Sequence, residues 1–124
     1  MTEKYFLAID QGTSSSRAIV FDSNGKIRGL GQQQFDMHFP ADGWVEQDPE
    51  VLWQTTLFAG RESLKQASLR AADITAIGIS NQRETTLLWD AASADTLHNA
   101  IVWQDRRTAS FCDSLRDAGH TEMV

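Results

Sequence analysis

Asp10-Gln11-Gly12-Thr13-Ser14-Ser15-Ser16-Arg17 is a polar stretch that joins two apolar runs, Tyr5–Ile9 and Ala18–Phe21. Both runs are rich in β-branched and aromatic residues, and a short Gly/Ser/Thr segment between two such runs predicts a β-hairpin. Neither run alternates cleanly with polar residues, so we expect both strands to be buried on two faces. The chain is thus predicted to begin as an antiparallel unit.

The chemistry of the hairpin tip suits the phosphates of a nucleotide together with their magnesium ion. Gly12 allows backbone N–H groups to approach a ligand closely, and successive N–H groups can form an anion-binding nest. Arg17 adds a fixed positive charge, and Asp10, at the end of an apolar strand, is placed to hold a hydrated metal ion. On these residues alone, a solvated turn whose Ser and Thr side chains satisfy their own backbone is an equal alternative. The tip is not a Walker A loop, because G-x-x-x-x-G-K-[ST] does not occur in the sequence.

The composition limits the classes of function. A chain of 124 residues, 41% hydrophobic and 23% charged, has the make-up of a soluble globular protein and the length of one domain at most. A net charge of -6 argues against nucleic acid or an anionic membrane as partner, although Arg17, Arg83, Arg106 and Arg107 could attract an anionic ligand locally. The single cysteine, Cys112, excludes an internal disulfide and fits a reducing cytoplasm. The sequence shows no secretory signal and no run of membrane-spanning length.

The middle of the chain predicts a third strand, a loop and a long helix. The turn sequence Asp22–Gly25 is followed by a more polar strand, Lys26–Phe35, which we expect at an edge of the sheet or with one solvent-facing side. Phe39–Gln47 is predicted to be a loop in which Trp44 plugs the edge of the core, with contact to a ligand as the alternative. Asp48 and Pro49 start a helix over residues 49–68. Its apolar face is predicted from the spacing of Trp53, Leu57, Gly60, Leu64 and Ala67.

Further apolar segments predict three more strands and a final helix. The strands cover Ile74–Ser80, Thr85–Trp89 and Ala100–Trp103, and the first of them is expected to be buried. Thr108 can cap the helix, whose inward residues would be Phe111, Leu115 and Ala118, with Gly119 as its stop. Antiparallel hairpins followed by a crossover helix and a buried strand indicate a mixed α/β sheet.

A second group of polar residues follows the predicted fourth strand. Ligands of open α/β sheets collect beyond the carboxyl ends of the strands, which is where Arg83 and Glu84 lie. Their donors and acceptor suit the vicinal hydroxyls of a small polyol, and Trp103 could supply an apolar wall. A salt-bridged loop pair beside a core tryptophan is the structural alternative.

Four motifs occur in order along the chain: Asp10–Arg17, Gly43–Pro49 (Gly-Trp-Val-Glu-Gln-Asp-Pro), Asn81–Thr86 (Asn-Gln-Arg-Glu-Thr-Thr) and Trp103–Thr108 (Trp-Gln-Asp-Arg-Arg-Thr). The first resembles the phosphate loop of the actin-like ATPase superfamily. Together they resemble the FGGY carbohydrate kinases, and within that family the glycerol kinases. This resemblance implies the actin-like ATPase (ribonuclease H-like) fold, with residues 1–124 forming the first half of the N-terminal domain of a longer enzyme.

The resemblance also implies an activity, which is ATP-dependent phosphorylation of glycerol to sn-glycerol 3-phosphate. ATP and Mg²⁺ would be the cofactors and glycerol the small-molecule partner, in a cytoplasmic enzyme that is a homo-oligomer. The general base, a tyrosine that contacts glycerol and the adenosine pocket would lie beyond Val124, so the 124 residues alone are expected to be inactive. The alternatives are another FGGY sugar kinase, a chaperone-like ATPase domain of the actin fold, or a noncatalytic module.

By the same resemblance, each candidate residue has an expected role. The residues that would contact ATP phosphates are Thr13, Ser14, Ser15 and Arg17; those that would hold glycerol are Arg83, Glu84 and Trp103; and Asp10 would lie near the magnesium ion through water. The chain departs from the family pattern at Ser14, where many members have Thr, and at Gln47, where many have His. Neither departure is expected to remove a ligand atom from a position that matters.

Overall fold

The computed structural model describes residues 3–123 and has the mixed α/β architecture predicted from the sequence. Its elements, in chain order, are β1 (Tyr5–Gln11), β2 (Ser15–Asp22), β3 (Ile27–Gln34), β4 (Glu46–Gln47), α1 (Pro49–Ala67), β5 (Ile74–Asn81), β6 (Ala100–Ile101) and α2 (Ala109–Asp117). The main sheet has the order β3-β2-β1-β5, in which only the β1–β5 pair is parallel. The two short strands β4 and β6 pair with each other in a separate antiparallel ribbon.

The predicted hairpin is present, and its strands are longer than the apolar runs that indicate them. Strand β1 continues through Asp10 and Gln11, which pair with Arg17 and Ser16 on β2. Only Gly12–Ser14 remain as the connection, and it is closed by a hydrogen bond of 2.9 Å from the Gly12 amide to the Ser15 carbonyl. Such a short connection fixes the tip rigidly to the sheet, because both of its ends are held by ladder hydrogen bonds.

Helix α1 begins and ends as its capping residues predict. The side chain of Asp48 accepts a hydrogen bond of 2.8 Å from the amide of Glu50, and Pro49 occupies the first helical position. Ser68 ends the helix in the left-handed conformation, with φ of 56°. The helix packs against β2 and β3. The strand order places β3 at one edge of the main sheet, which is one of the two placements expected for it.

The face by which α1 packs differs from the predicted apolar face. Its buried residues include Thr55, Ala59 and Ser63, whereas Trp53 is 57% exposed. A Cβ atom at Gly31 would lie 2.1 Å from the carbonyl oxygen of Ala59, so the helix and the strand approach too closely for large side chains between them. Small residues therefore form the contact, and the larger Leu64 packs against the core from the border of this contact.

Burial in the second half of the chain is lower than the sequence predicts. Strand β5 is exposed along most of its length, with Ile77 and Ile79 at 58% and 72%. Residues 85–89 form isolated bridges rather than the predicted strand, and Phe111 on α2, predicted to point inward, is 62% exposed. Two-sided burial of the hairpin is also wrong, because α1 covers one face and Phe6 on the other is 37% exposed.

Among the described helices, none has the length and apolarity needed to cross a membrane.

Candidate functional site

The two predicted groups of site residues lie at the same edge of the main sheet. Strands β1 and β5 are parallel neighbours, with Gln11 beside Asn81, so their carboxyl ends meet there. The amide of Gln82 continues this pairing with a hydrogen bond of 2.8 Å to the carbonyl oxygen of Gln11. The hairpin tip and the segment that carries Arg83 and Glu84 therefore emerge side by side, at the edge where ligands of open α/β sheets bind.

A cleft of about 350 Å³ lies between these two segments. Its lining consists of Thr13, Gln82, Arg83, Glu84 and Trp103. The cleft is large enough for a small polyol, and it presents a hydroxyl, an amide, a guanidinium and a carboxylate beside an indole. One cavity thus brings all three residues of the predicted polyol site together with one residue of the predicted phosphate loop.

The backbone of Glu84 is in a conformation that side chains rarely adopt. Its φ is 66°, in the left-handed region, and Glu84 is not at a helix end as Ser68 is. This conformation is unfavourable for a residue with a Cβ atom, and strained residues concentrate at binding and catalytic sites. A loop pair that merely formed a surface salt bridge would not require it, and neither Arg83 nor Glu84 takes part in an ion pair within residues 3–123.

The serines of the hairpin tip have different environments. Ser14 is exposed, and Ser15 accepts a hydrogen bond of 2.9 Å on its Oγ from Nε2 of Gln32. Ser16 points the other way, is fully buried and shares a hydrogen bond of 2.8 Å with the hydroxyl of Thr55 on α1. Ser16 therefore anchors the hairpin to the helix, and Ser14 and Ser15 are the serines available on the outer side.

Asp10 and Arg17 form an ion pair across the hairpin. One terminal nitrogen of Arg17 donates to Oδ2 of Asp10 at 2.9 Å, and both side chains are nearly half exposed. A pair so exposed is readily exchanged for other partners, because water already competes with it. The guanidinium can thus turn to a phosphate, and the carboxylate to a hydrated cation.

A buried ion cluster holds the β4–β6 ribbon beside the cleft. Arg107 donates to Asp105 at 2.8 Å and to Glu46 at 3.0 Å, and the two carboxylates are 3% and 6% exposed. Hydrogen bonds from Arg107 lower the pKa of Asp105 to about 2, against the opposing effect of burial. The guanidinium also lies 3.9 Å from the ring centre of Trp44, which is 37% exposed and so only partly fulfils the predicted role of a core plug. Arg107 is therefore committed to structure and does not attract a ligand.

Two glutamines support the site and were not among its predicted residues. Gln47 is 1% exposed and donates from Nε2 to the carbonyl oxygen of Thr13 at 2.6 Å. Its Oε1 accepts from Nε2 of Gln82 at 2.9 Å. Gln47 thus supports the hairpin tip from behind, a structural role that the expectation about ligand atoms at this position did not include. Only the pairing of the short strand β4 reveals this role, because a lone glutamine in a polar loop gives no sequence signal.

Comparison with known proteins matches this architecture to one family. The model of the FGGY family of carbohydrate kinases, N-terminal domain, matches residues 5–124. Glycerol kinase 1 of Pseudomonas aeruginosa is 63% identical over 120 residues, which are 97% of this chain and 24% of that protein. Glycerol kinase of Sinorhizobium fredii is 58% identical over 115 residues, which are 93% of this chain and 23% of that protein. The chain thus spans about a quarter of the length of the curated relatives it matches.

Solved structures agree with this match. Glycerol kinase of Plasmodium falciparum, crystallised with ADP, superposes with a TM-score of 0.82 at 28% identity, covering 92% of this chain and 23% of that one. Gluconate kinase of Lactobacillus acidophilus superposes with a TM-score of 0.86 at 22% identity, covering 98% of this chain and 24% of that one, and supports the fold alone. The fold is the actin-like ATPase fold predicted above, and a chaperone-like ATPase is not favoured. The chain belongs to the FGGY family of carbohydrate kinases, in the N-terminal domain of that family.

Proposed function

We propose that this chain is the N-terminal part of an ATP-dependent glycerol kinase, which transfers the γ-phosphoryl group of ATP to a terminal hydroxyl of glycerol and gives sn-glycerol 3-phosphate. The observation that carries the proposal is the cleft, in which Thr13 of the hairpin tip faces Arg83, Glu84 and Trp103. Phosphoryl transfer needs donor and acceptor sites side by side, because catalysis rests on positioning and on stabilisation of charge. The names of the curated relatives support glycerol as the acceptor.

On the acceptor side, Arg83 and Glu84 bind the hydroxyl groups and Trp103 covers the carbon chain. Arg83 donates hydrogen bonds to hydroxyl oxygens and Glu84 accepts hydrogen bonds from hydroxyl groups, so neighbouring hydroxyls can each be matched by one charged partner. The strained backbone of Glu84 supports this role, because the φ of 66° fixes the direction of its side chain. We propose that the general base lies outside these 124 residues.

On the donor side, the phosphates lie against the hairpin tip. Thr13, Ser14 and Ser15 offer hydroxyl donors, and Arg17 leaves Asp10 to bind a phosphate and stabilise the charge that develops during transfer. The amides at the tip add fixed donors that cost no reorganisation. These contacts orient the γ-phosphoryl group towards the acceptor cleft.

The donor set fits a magnesium ion that arrives with the nucleotide. No group of three or more His, Cys, Asp or Glu side chains within residues 3–123 could hold a metal ion by itself. Asp10 offers one half-exposed carboxylate, and Mg²⁺ in kinase sites keeps several waters and uses one or two carboxylates together with substrate phosphates. Asp10 would hold the ion through water, and the ion would neutralise charge on the phosphates.

We further propose that the complete enzyme works in the cytoplasm as a homo-oligomer without nucleic-acid or membrane partners. A single cysteine supports a reducing compartment. The net charge of -6 supports the absence of nucleic acid.

The test is an ADP-release assay on the product of the complete reading frame. We expect turnover with glycerol, little with xylulose or gluconate, and none from the 124-residue chain alone. In the complete protein, Arg83→Ala should raise the KM for glycerol roughly ten- to a hundredfold and leave that for ATP nearly unchanged, because a charged hydrogen bond to a ligand is lost. Turnover that prefers another polyol, or an unchanged glycerol KM in Arg83→Ala, would overturn the assignment.

A further inference from the structure

Five residues around the cleft form a closed ring of hydrogen bonds. Gln47 Nε2 donates to the carbonyl oxygen of Thr13 at 2.6 Å, and Gln82 Nε2 donates to Gln47 Oε1 at 2.9 Å. The hydroxyl of Thr85 donates to Gln82 Oε1 at 2.8 Å and accepts from the backbone amide of Trp103 at 3.3 Å. The indole Nε1 of Trp103 closes the ring by donating to the hydroxyl oxygen of Thr13 at 3.0 Å.

The ring adds side-chain links between parts of the chain that backbone pairing also brings together. Its members come from the hairpin tip, from β4, from the segment after β5 and from the residue pair that follows β6. Gln82 and Thr85 flank Arg83 and Glu84 in sequence, so the segment that carries both clamp residues is held at each end by the ring. Gln82 Nε2 also lies within hydrogen-bond distance of Gln11 Oε1 at 3.2 Å and of the Gly12 carbonyl oxygen at 3.3 Å, so this amide contacts the hairpin directly as well as through Gln47.

The direction of the last bond also matters for the donor site. Because the indole can only donate, Thr13 accepts from it, and the hydroxyl proton of Thr13 stays free to be donated. The ring thereby orients one hydroxyl of the phosphate loop towards a ligand. At the same time it fixes the position of the indole that walls the acceptor cleft.

We infer that Gln47 and Gln82 are positioning residues, which lock the phosphate loop and the acceptor clamp into one unit and thereby set the distance across which the phosphoryl group is transferred. This inference rests on the proposed kinase function of the cleft. Neither amide touches the reacting atoms; each acts through Thr13 or through the segment next to Arg83. Misplacement of a reactant by about 1 Å can cost a factor of about a hundred in rate, so loss of the ring lowers kcat.

The first test compares Gln47→Met and Gln82→Met with the matched control Gln54→Met in the complete protein. Methionine keeps the length of the side chain and removes its hydrogen bonds. Gln54 lies exposed on α1 and bonds only to Glu50. We expect each ring variant to lower kcat about ten- to a hundredfold with both KM values changed less than about threefold, and the control to match wild type. Unchanged kcat in both ring variants overturns the inference.

The double variant distinguishes a single ring from two glutamines that support the site independently. Since one broken link already opens the ring, Gln47→Met with Gln82→Met should be no slower than the worse single variant by more than about threefold. If the falls in kcat of the two single variants multiply in the double variant, the two glutamines act independently and do not form a single unit. If a methionine variant fails to fold, Thr85→Val opens the ring at a less buried link and is expected to give the same fall in kcat.

Hydrogen exchange makes the inference testable without activity. Opening the ring at Gln47 should speed amide exchange both at Gly12 and at Gln82 and Thr86, whose amides are hydrogen-bonded, whereas a purely local role would affect Gly12 only. Unchanged exchange at Gln82 and Thr86 overturns the inference whatever the enzyme does. Faster exchange at both segments, in a protein that lacks glycerol-dependent turnover, keeps the ring as a mechanical link and overturns the proposed function instead.

Discussion

The indole nitrogen of Trp103 lies 3.0 Å from the hydroxyl oxygen of Thr13, a residue 90 positions earlier in the chain. This one hydrogen bond connects the wall of the proposed acceptor cleft to the proposed phosphate loop. The two functions assigned to Trp103, as an apolar wall and as a hydrogen-bond donor, can be separated because phenylalanine retains most of the wall and lacks the N–H group.

Trp103→Phe should therefore leave the KM for glycerol within about threefold of wild type and lower kcat about ten- to a hundredfold, because loss of the indole N–H opens the ring at its bond to Thr13. Trp103→Ala should raise the glycerol KM as well, because the wall is lost. Steady-state kinetics of the two variants side by side provides the measurement. Equal kinetics for Phe and wild type would show that the bond to Thr13 has no role in turnover.

Arg17→Ala should lower kcat more than it raises the KM for ATP, because the guanidinium is proposed to stabilise charge that develops during transfer. Its ion pair with Asp10 is nearly half exposed, so the free energy of unfolding should change by less than about 1 kcal/mol. Glycerol binding to the ATP-free enzyme, measured by calorimetry, should be unaffected. A wild-type kcat/KM for ATP in this variant would contradict the phosphate contact, and a large loss of thermal stability would make the pair structural.

Glu84→Gly should be more stable than Glu84→Ala by about 0.5–1 kcal/mol, although both lose the clamp carboxylate. The reason is the φ of 66°, which glycine adopts without strain and alanine does not. Arg61, which is exposed in the middle of α1, provides the matched control. There the Arg61→Gly variant should be about 1 kcal/mol less stable than the Arg61→Ala variant, because glycine is unfavourable inside a helix. Urea unfolding of the four variants gives the comparison, and the same order of stability at both positions would contradict strain at Glu84.

The ion pair of Asp105 with Arg107 should make stability depend on pH in acid. The pKa of Asp105 is lowered from 3.8 to about 2 by its hydrogen bonds to Arg107, so the unfolded chain binds this proton more tightly than the folded one. The contribution of this ion pair to the free energy of unfolding is complete above the unfolded-state pKa of Asp105. It is lost as the pH falls through the folded-state pKa of Asp105. The stability difference between wild type and Asp105→Asn should accordingly shrink between about pH 5 and about pH 3. A difference that stays constant over this range would contradict the pairing.

The local sequence was sufficient to predict the elements whose signals are local. The hairpin and helix α1 follow from turn and capping residues, and both are present. The polarity of β3 indicated an edge position or a solvent-facing side, and the strand lies at an edge. Arg83 and Glu84 were expected beyond the carboxyl end of a strand, where they lie, whereas the parallel pairing of β1 with β5 that brings them beside the hairpin tip was not predicted.

Properties that depend on distant contacts were not predictable. The apolar face of α1 was placed wrongly because its true position is set by the close approach of Gly31 to Ala59, which periodicity does not encode. The structural role of Gln47 depends on strand β4 pairing with residues more than fifty positions away, and no feature of residues 39–47 indicates that pairing. The strained backbone of Glu84 likewise has no signature in its neighbours.

Strand β5 also determines whether this polypeptide remains in solution when it is expressed by itself. Its isoleucines Ile77 and Ile79 are 58% and 72% exposed, and within residues 3–123 no strand pairs with its outer edge. An unpaired edge that displays apolar side chains is a template for sheet formation between molecules. Expression of these 124 residues by themselves should therefore yield inclusion bodies, whereas a polypeptide that covers this edge should remain in solution.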